Sequence, residues 1–188
     1  MRLMCISPEA YEFVRENIKP FPSRSNLRKK LGWLHTKPGM NMPGFAFLQE
    51  LAPKMTPGEE IATIMIDEMK LSERGELDHK IDAFIGPHAY ANQILVKSIF
   101  GNWQLPIYTA FDSAIRKKKL KKVIRKLEAI GIKIVFIVCD QGPRNISLAN
   151  SLGISTEKVS FPNPADETRD IFFSYDAVHL IKSLRFLQ

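Results

Sequence analysis

Two aspartates stand where α/β proteins do their chemistry. Asp67 follows the run Ile61 to Ile66, and Asp140 follows Ile132 to Cys139 and precedes Gln141-Gly142-Pro143. Short, β-branched, almost wholly apolar runs read as strands buried on both faces. A carboxylate at the C-terminal end of such a strand stands at the sheet edge where ligands bind. Two such carboxylates on adjacent strands can share metal ions. A pair of Mg²⁺ ions about 3.5–4 Å apart is the usual machinery for attacking a phosphodiester, and hard oxygen ligands suit Mg²⁺ better than zinc.

Other reactive side chains carry less. Glu68 is expected to face away from Asp67 if the strand continues, so it stays outside the ligand set. Cys139 lies in a buried strand with nothing basic beside it, which argues against a nucleophile. Asp176 ends a later strand and reads as a structural or secondary site. His179 reads as a packed histidine first, with a metal or phosphate ligand as the alternative. The two cysteines, Cys5 and Cys139, form no CxxC, so neither a zinc site nor a disulfide framework is expected.

Several elements must position the aspartates. A helix is expected from Ser7 to about residue 19, with Pro8 at its first position and Tyr11, Val14 and Ile18 on one face. A second short helix, capped by Ser23 or Ser25, runs through Leu27 and Leu31. A Pro- and Gly-rich loop leads to a third, Phe45 to Leu51. With Arg24, Arg28, Lys29 and Lys30 on the middle helix, these pieces read either as a small helix-turn-helix-like module over residues 1–57 or as a simple helical packing unit. Lys54 to Glu60 is the break. Strands then follow: Ile61 to Ile66, a short piece in Lys80 to Gly86, and Ile94 to Phe100 with Leu105 to Phe111 as a tight antiparallel pair. A helix from about Ser113 to Ile130, the strand ending at Asp140, a helix from about Asn145 to Leu152 closed by Gly153, a polar loop, a strand Asp170 to Tyr175 and a last helix complete the chain. Over residues 58–188 this is the element order of an RNase H-like α/β core: a mixed sheet with a three-strand meander, then alternating helices and strands. In it the first and fourth strands are neighbours, about 4.8 Å apart.

The chain has 188 residues, is 45% hydrophobic and 25% charged, and carries a formal net charge of +7. That composition is globular, and no apolar run nears the ~18 residues of a membrane span. No secretory signal is evident, so a cytosolic or nuclear protein is expected. Arg116 to Lys126 holds eight basic residues and no acidic one, so the charge excess sits in one segment. It reads either as a phosphate-binding face made of Arg116, Lys117, Lys118, Lys119, Lys121, Lys122 and Arg125, or as a solvated helix face. Leu120, Val123, Ile124 and Leu127 fall at helical spacing, which makes the segment one side of a packed helix first.

These residues together resemble the P-element-type DNA transposases, including the THAP-domain transposases. The resemblance rests on Ile66-Asp67-Glu68-Met69, Trp103-Gln104-Leu105-Pro106-Ile107, Cys139-Asp140-Gln141-Gly142 with Asn145, and Phe172-Phe173-Ser174-Tyr175-Asp176 with His179-Leu180-Ile181-Lys182 and Arg185. Tyr11 to Leu51 looks like that family's helix-turn-helix segment. The resemblance implies a cut-and-paste transposase core with Asp67 and Asp140 as the first two catalytic, metal-binding carboxylates and Mg²⁺ or Mn²⁺ as cofactor. It further implies DNA, both transposon ends and target, as partner, with self-association left open, a nuclear location and no membrane. The family's third carboxylate is a glutamate on a later helix beyond a GTP-binding insertion. It is not expected in these residues, nor is the zinc-binding THAP domain, so GTP would enter only through a domain absent from this chain. Val178 and Phe186 depart from the family's proline and asparagine. The expectation is therefore an incomplete or domesticated transposase core. A non-catalytic DNA-binding regulator keeping the fold is the alternative, and a separate nuclease using Asp170 or Asp176 is the third reading.

Overall fold

In the computed structural model the structure describes residues 8–18, 20–26, 38–71, 76–78, 83–178 and 181. The chain divides into two compact units, Met1–His35 and Thr36–Gln188.

The first unit contains helix α1, Pro8–Asn17, as its proline and apolar spacing lead one to expect. Tyr11 is buried, stacks on Phe21 at 5.9 Å and donates its hydroxyl to the Pro22 carbonyl at 2.7 Å. Residues 24–26 are helical, and the Asn26 amide donates to Ser23 Oγ at 3.3 Å. The remainder of the expected second helix, with Arg28, Lys29 and Lys30, lies outside the described residues.

The division between units falls well before the Lys54 to Glu60 break, because hydrogen bonds tie the third helical piece to the sheet. Strand β1, Gly39–Met40, pairs antiparallel with β6, Gln104–Phe111. The Asn41 amide donates to Ile107 O at 2.8 Å, and Asn41 Nδ2 donates to Pro106 O at 2.7 Å. Asn41 also caps helix α2, Met42–Leu51, by accepting from the Gly44 amide. Helix α2 is thus part of the second unit.

In that unit β2, Ile61–Lys70, is followed by a small separate hairpin, β3 (Glu76–Asp78) and β4 (Ala83–Ile85), and then by β5, Tyr90–Ser98. After β6 come helix α3 (Lys117–Ala129), β7 (Lys133–Cys139), helix α4 (Pro143–Leu152), β8 (Ser160–Asn163) and β9 (Asp166–Tyr175). One seven-stranded sheet runs in the order β1-β6-β5-β2-β7-β9-β8. Strands β2, β5 and β6 form the antiparallel meander, and β7 and β9 are parallel to β2 and to each other.

Several boundaries differ from expectation. Strand β2 runs three residues past Asp67, because β5 starts at Tyr90 and supplies antiparallel partners as far as Lys70. Helix α3 starts at Lys117, since Arg116 is still extended. Helix α4 starts at Pro143, a residue suited to the first helical position. The loop before β9 contains β8, a strand hidden in the sequence by Pro162 but tolerated because it is an edge.

Helix α3 turns Leu120, Val123, Ile124 and Leu127 inward, all fully buried. Gly131, at φ +90°, reverses the chain into β7, and Ile132 N closes on Leu127 O at 3.0 Å. The helix covers one face of the sheet, where Lys119 lies 5.4 Å over the Tyr108 ring. The other face leaves Met65, Met69, Phe136 and Phe172 exposed.

Glu128 joins four elements at the end of α3. Its carboxylate accepts from Ile134 N at 2.9 Å, from Asn163 Nδ2 at 2.7 Å and from Arg169 at 2.7 Å. Asn163 is fully buried, so losing its acceptor would leave a buried donor unpaired. We expect Glu128→Ala to destabilise the fold by about 1–3 kcal/mol, read as a lower urea midpoint. A midpoint unchanged from the parent chain would contradict the joining role.

Candidate active site

The site is set by how β2 meets β7. Ala62 pairs with Ile134, but Thr63 pairs with Phe136, so β7 carries one extra residue, Val135, at that point. From there the register runs evenly to Ile66 opposite Cys139. Asp67 and Asp140 are the next residues on neighbouring parallel strands. Without the extra residue Asp67 would stand level with Cys139. Side chains alternate along β2, with Ala62, Ile64 and Ile66 buried against the helices, so Asp67 lies on the open face with Thr63 and Met65. By the same alternation Asp140 follows Phe136 and Val138 onto that face.

The two carboxylates are held differently. Asp67 is exposed and has no hydrogen-bond or ion-pair partner among the described residues. Asp140 is half-buried and pinned through Oδ1, which accepts from Gly142 N at 2.9 Å and from Asn145 Nδ2 at 2.6 Å. Asn145 is itself buried on α4. Gly142 has an ordinary φ of −61°. A Cβ there would meet Asp140 Oδ1 at 3.0 Å, so any larger residue would push the carboxylate by a few tenths of an ångström. Asp140 is thus held at the turn through Oδ1, while the exposed Asp67 carboxylate makes no such bond among the described residues.

Glu68 points the other way. It accepts from Asn92 Nδ2 at 3.0 Å and from Arg144 Nη1 at 2.7 Å, and so belongs to the helix-covered side. Asp176 takes the same step past β9, and its amide donates to Cys139 O at 2.8 Å. Its carboxylate accepts from Val178 N at 3.0 Å, the work of a helix cap. Asp170 does not reach the edge. It accepts from Ser160 Oγ at 2.6 Å, and five residues separate it from Tyr175. At ~3.3 Å per residue that is roughly 16 Å away, so a nuclease site using Asp170 is ruled out. Among the described residues no group of three or more His, Cys, Asp or Glu is placed to hold a metal ion. His179, Lys182 and Arg185 lie outside the described residues.

Asp67 also lines a pocket of about 180 Å³ with Met69, Gln93, Thr109 and Phe111. The Phe111 ring carries His88 stacked at 4.5 Å, and His88 Nδ1 lies 2.8 Å from Asp112 Oδ2. Hydrogen bonds from the Tyr90 amide and then from His88 hold the Asp112 carboxyl below the usual range. Neither this pocket nor the Asn145 bond to Asp140 was foreseen from sequence. The sign available for Asn145 was an amide five residues after the aspartate, on the first turn of a helix.

The basic segment is divided by the fold. Lys119 and Lys126 lie over the Tyr108 and Phe45 rings, Arg125 donates to Pro164 O, and Lys117 donates to Ser151 O. Arg116, Lys118, Lys121 and Lys122 have no partner among the described residues. Arg116, Lys117 and Lys118 sit at the same sheet edge as Asp140. Lys121, Lys122 and Arg125 run away from it along the face opposite Asp67.

Comparisons with known proteins agree with this architecture. A family described as TNP-like, RNase H N-terminal domain matches residues 36–153. The chain is 30% identical over 178 residues to the transposable element P transposase of Drosophila melanogaster, over 95% of this chain and 23% of that protein. It is 26% identical over 206 residues to the human DNA transposase THAP9, over 97% of this chain and 23% of the relative. The chain therefore spans about a quarter of the length of these relatives. A chain of the Drosophila P element transposase strand transfer complex superposes with a TM-score of 0.76 at 30% identity, covering 98% of this chain and 41% of that one.

The site also fixes the behaviour of Cys139. Burial, and then the neighbouring Asp140 carboxylate, push its thiol up to about 12. We expect the Cys139 peptide to stay unmodified by iodoacetamide at pH 8 in the folded protein and to react fully in denaturant, as read by mass spectrometry. Alkylation at equal rates in both states would contradict the placement.

Proposed function

The chain belongs to the TNP-like, RNase H N-terminal domain family and is of the P-element transposase type, and from that premise we propose that it carries part of a metal-dependent phosphodiester site acting on DNA. Its relatedness makes the protein transposase-related. The proposal assigns the hydrolysis and strand-transfer chemistry of transposon ends to Asp67 and Asp140. The observation that supports it is the register of β2 on β7, which runs evenly to Ile66 opposite Cys139, so that Asp67 and Asp140 are each the next residue along. Because DNA is the substrate in this reading, a nuclear location goes with it. Among the described residues no helix is long and apolar enough to cross a membrane.

The donor set is suited to Mg²⁺ or Mn²⁺. It consists of hard carboxylate oxygens, one group exposed and without a partner among the described residues, the other oriented through a single oxygen. A bound divalent ion would supply Lewis-acid activation of water or a 3′-hydroxyl and stabilise the leaving oxygen. The chain's own residues do the rest. Asp67 and Asp140 would hold the ions, while Asn145 and the Gly142 amide hold the Asp140 carboxylate through Oδ1. Two carboxylates are fewer than a full catalytic set, so the proposal is for a partial site.

The rival reading is a DNA-binding regulator that keeps the fold without catalysis, and the cations of α3 left without partners favour it. Calorimetric titration with Mn²⁺ separates the two. Binding by the parent chain should vanish in Asp67→Asn and in Asp140→Asn. Asn145→Ala should weaken it about 10–100-fold, the usual cost of losing a ligand-orienting partner. Mn²⁺ binding that is the same in all four proteins would sink the catalytic assignment. DNA binding that persists in both aspartate variants would then support the regulator.

A further inference from the structure

We propose that the cleft between the start of α3 and the start of α4 is a DNA subsite that seats the sugar–phosphate of a strand leaving the Asp67–Asp140 edge. This inference rests on DNA being the substrate. The cleft has a volume of about 530 Å³. Ile115 and Leu148, both buried, form an apolar floor, and Arg116, Lys117, Lys118 and Arg144 stand around it. No acidic residue lines it.

The four cations come from two segments far apart in sequence, and the fold uses only two of them. Lys117 donates across the cleft to Ser151 O at 2.7 Å, closing its far end. Arg144 pairs with Glu68 at 2.7 Å and lies over the Tyr90 ring, which holds its guanidinium at the near end. Arg116 and Lys118 are exposed and have no partner among the described residues. Uncompensated cations over an apolar floor match a nucleotide backbone, with phosphate oxygens against the cations and deoxyribose carbons against Ile115 and Leu148.

Position favours the same ligand. Arg144 lies four residues after Asp140 and is bonded to Glu68, the neighbour of Asp67, so one end of the cleft abuts the catalytic edge. A strand with its scissile phosphate at the two aspartates would pass over that edge into the cleft. Lys121, Lys122 and Arg125 lie farther along α3, so binding should depend on the helix start and not on the whole basic run.

Shape and charge can be tested separately. Ser147 lines the cleft, is exposed, and makes no hydrogen bond among the described residues, so Ser147→Trp fills the space without altering charge or core. Arg116→Ala with Lys118→Ala removes charge and leaves the space. Affinity for a single-stranded dT oligomer is measured for each across a salt series by fluorescence anisotropy, with circular dichroism confirming the fold. Ser147→Trp should weaken binding at least tenfold. The double variant should reduce the salt slope by about 1.4, roughly 0.7 for each phosphate of a single strand no longer neutralised. Lys121→Ala with Lys122→Ala should leave affinity within about twofold. Parent-like binding by both Ser147→Trp and the Arg116/Lys118 variant would overturn the cleft while leaving DNA binding intact. A parent chain that binds no DNA at low salt would overturn the reading beneath it as well. Displacement of the oligomer by inorganic phosphate beyond the effect of chloride at equal ionic strength would point to a free-phosphate site instead.

Discussion

The one-residue bulge at Val135 is the constraint on which the site depends. Parallel strands fix side-chain level as well as side-chain face, and a shift of one residue changes both. Ile61 and Ala62 enter the pairing in one register and Thr63 to Ile66 leave it in another. The change moves Asp67 from the level of Cys139, a buried thiol, to the level of Asp140, a carboxylate held at a turn. Bulges occur beside active sites where they re-aim a side chain. Here the bulge lies near the start of the strands and acts on residues at their far end, through a backbone ladder that does not slip between them.

Around that ladder the fold uses its charges economically. Helix α3 buries four large apolar side chains and places several cations over aromatic rings or against carbonyl oxygens. Its most basic stretch is therefore partly structural, and cation–π contacts of this kind are worth about 0.5–1 kcal/mol at exposed sites. At the C-terminal end Glu128 ties the helix to β7, β8 and β9. The N-terminal end carries Arg116 and Lys118, two exposed cations without partners among the described residues. The helix is anchored at one end and available for an anion at the other.

Much of this was legible in the residues. The apolar runs 61–66 and 132–139 are strands, the spacing of Leu120, Val123, Ile124 and Leu127 gives the buried face of α3, and the element order places β2 beside β7. The extent of β2 past Asp67 was not legible, because a strand's end is set by its partner, here Tyr90 on β5. Strand β8 is hidden by Pro162, and the tie of α2 to the sheet is hidden because Asn41 reads as loop yet bonds to β6. The bulge has no composition mark at all, since Val135 is as good a strand residue as its neighbours. Local propensity gave the elements, and the levels of the two aspartates came from tertiary pairing.

Paramagnetic line broadening by Mn²⁺ tests the central claim most directly, namely that Asp67 and Asp140 form one site. Small additions of Mn²⁺ to the isotopically labelled protein should broaden the amide resonances of residues 66–68 and 139–142 together, at the same metal concentration. Signals at Asp170 and along Lys121 to Arg125 should remain sharp. Broadening confined to one of the two strand ends, or centred anywhere else on the sheet, would contradict the account.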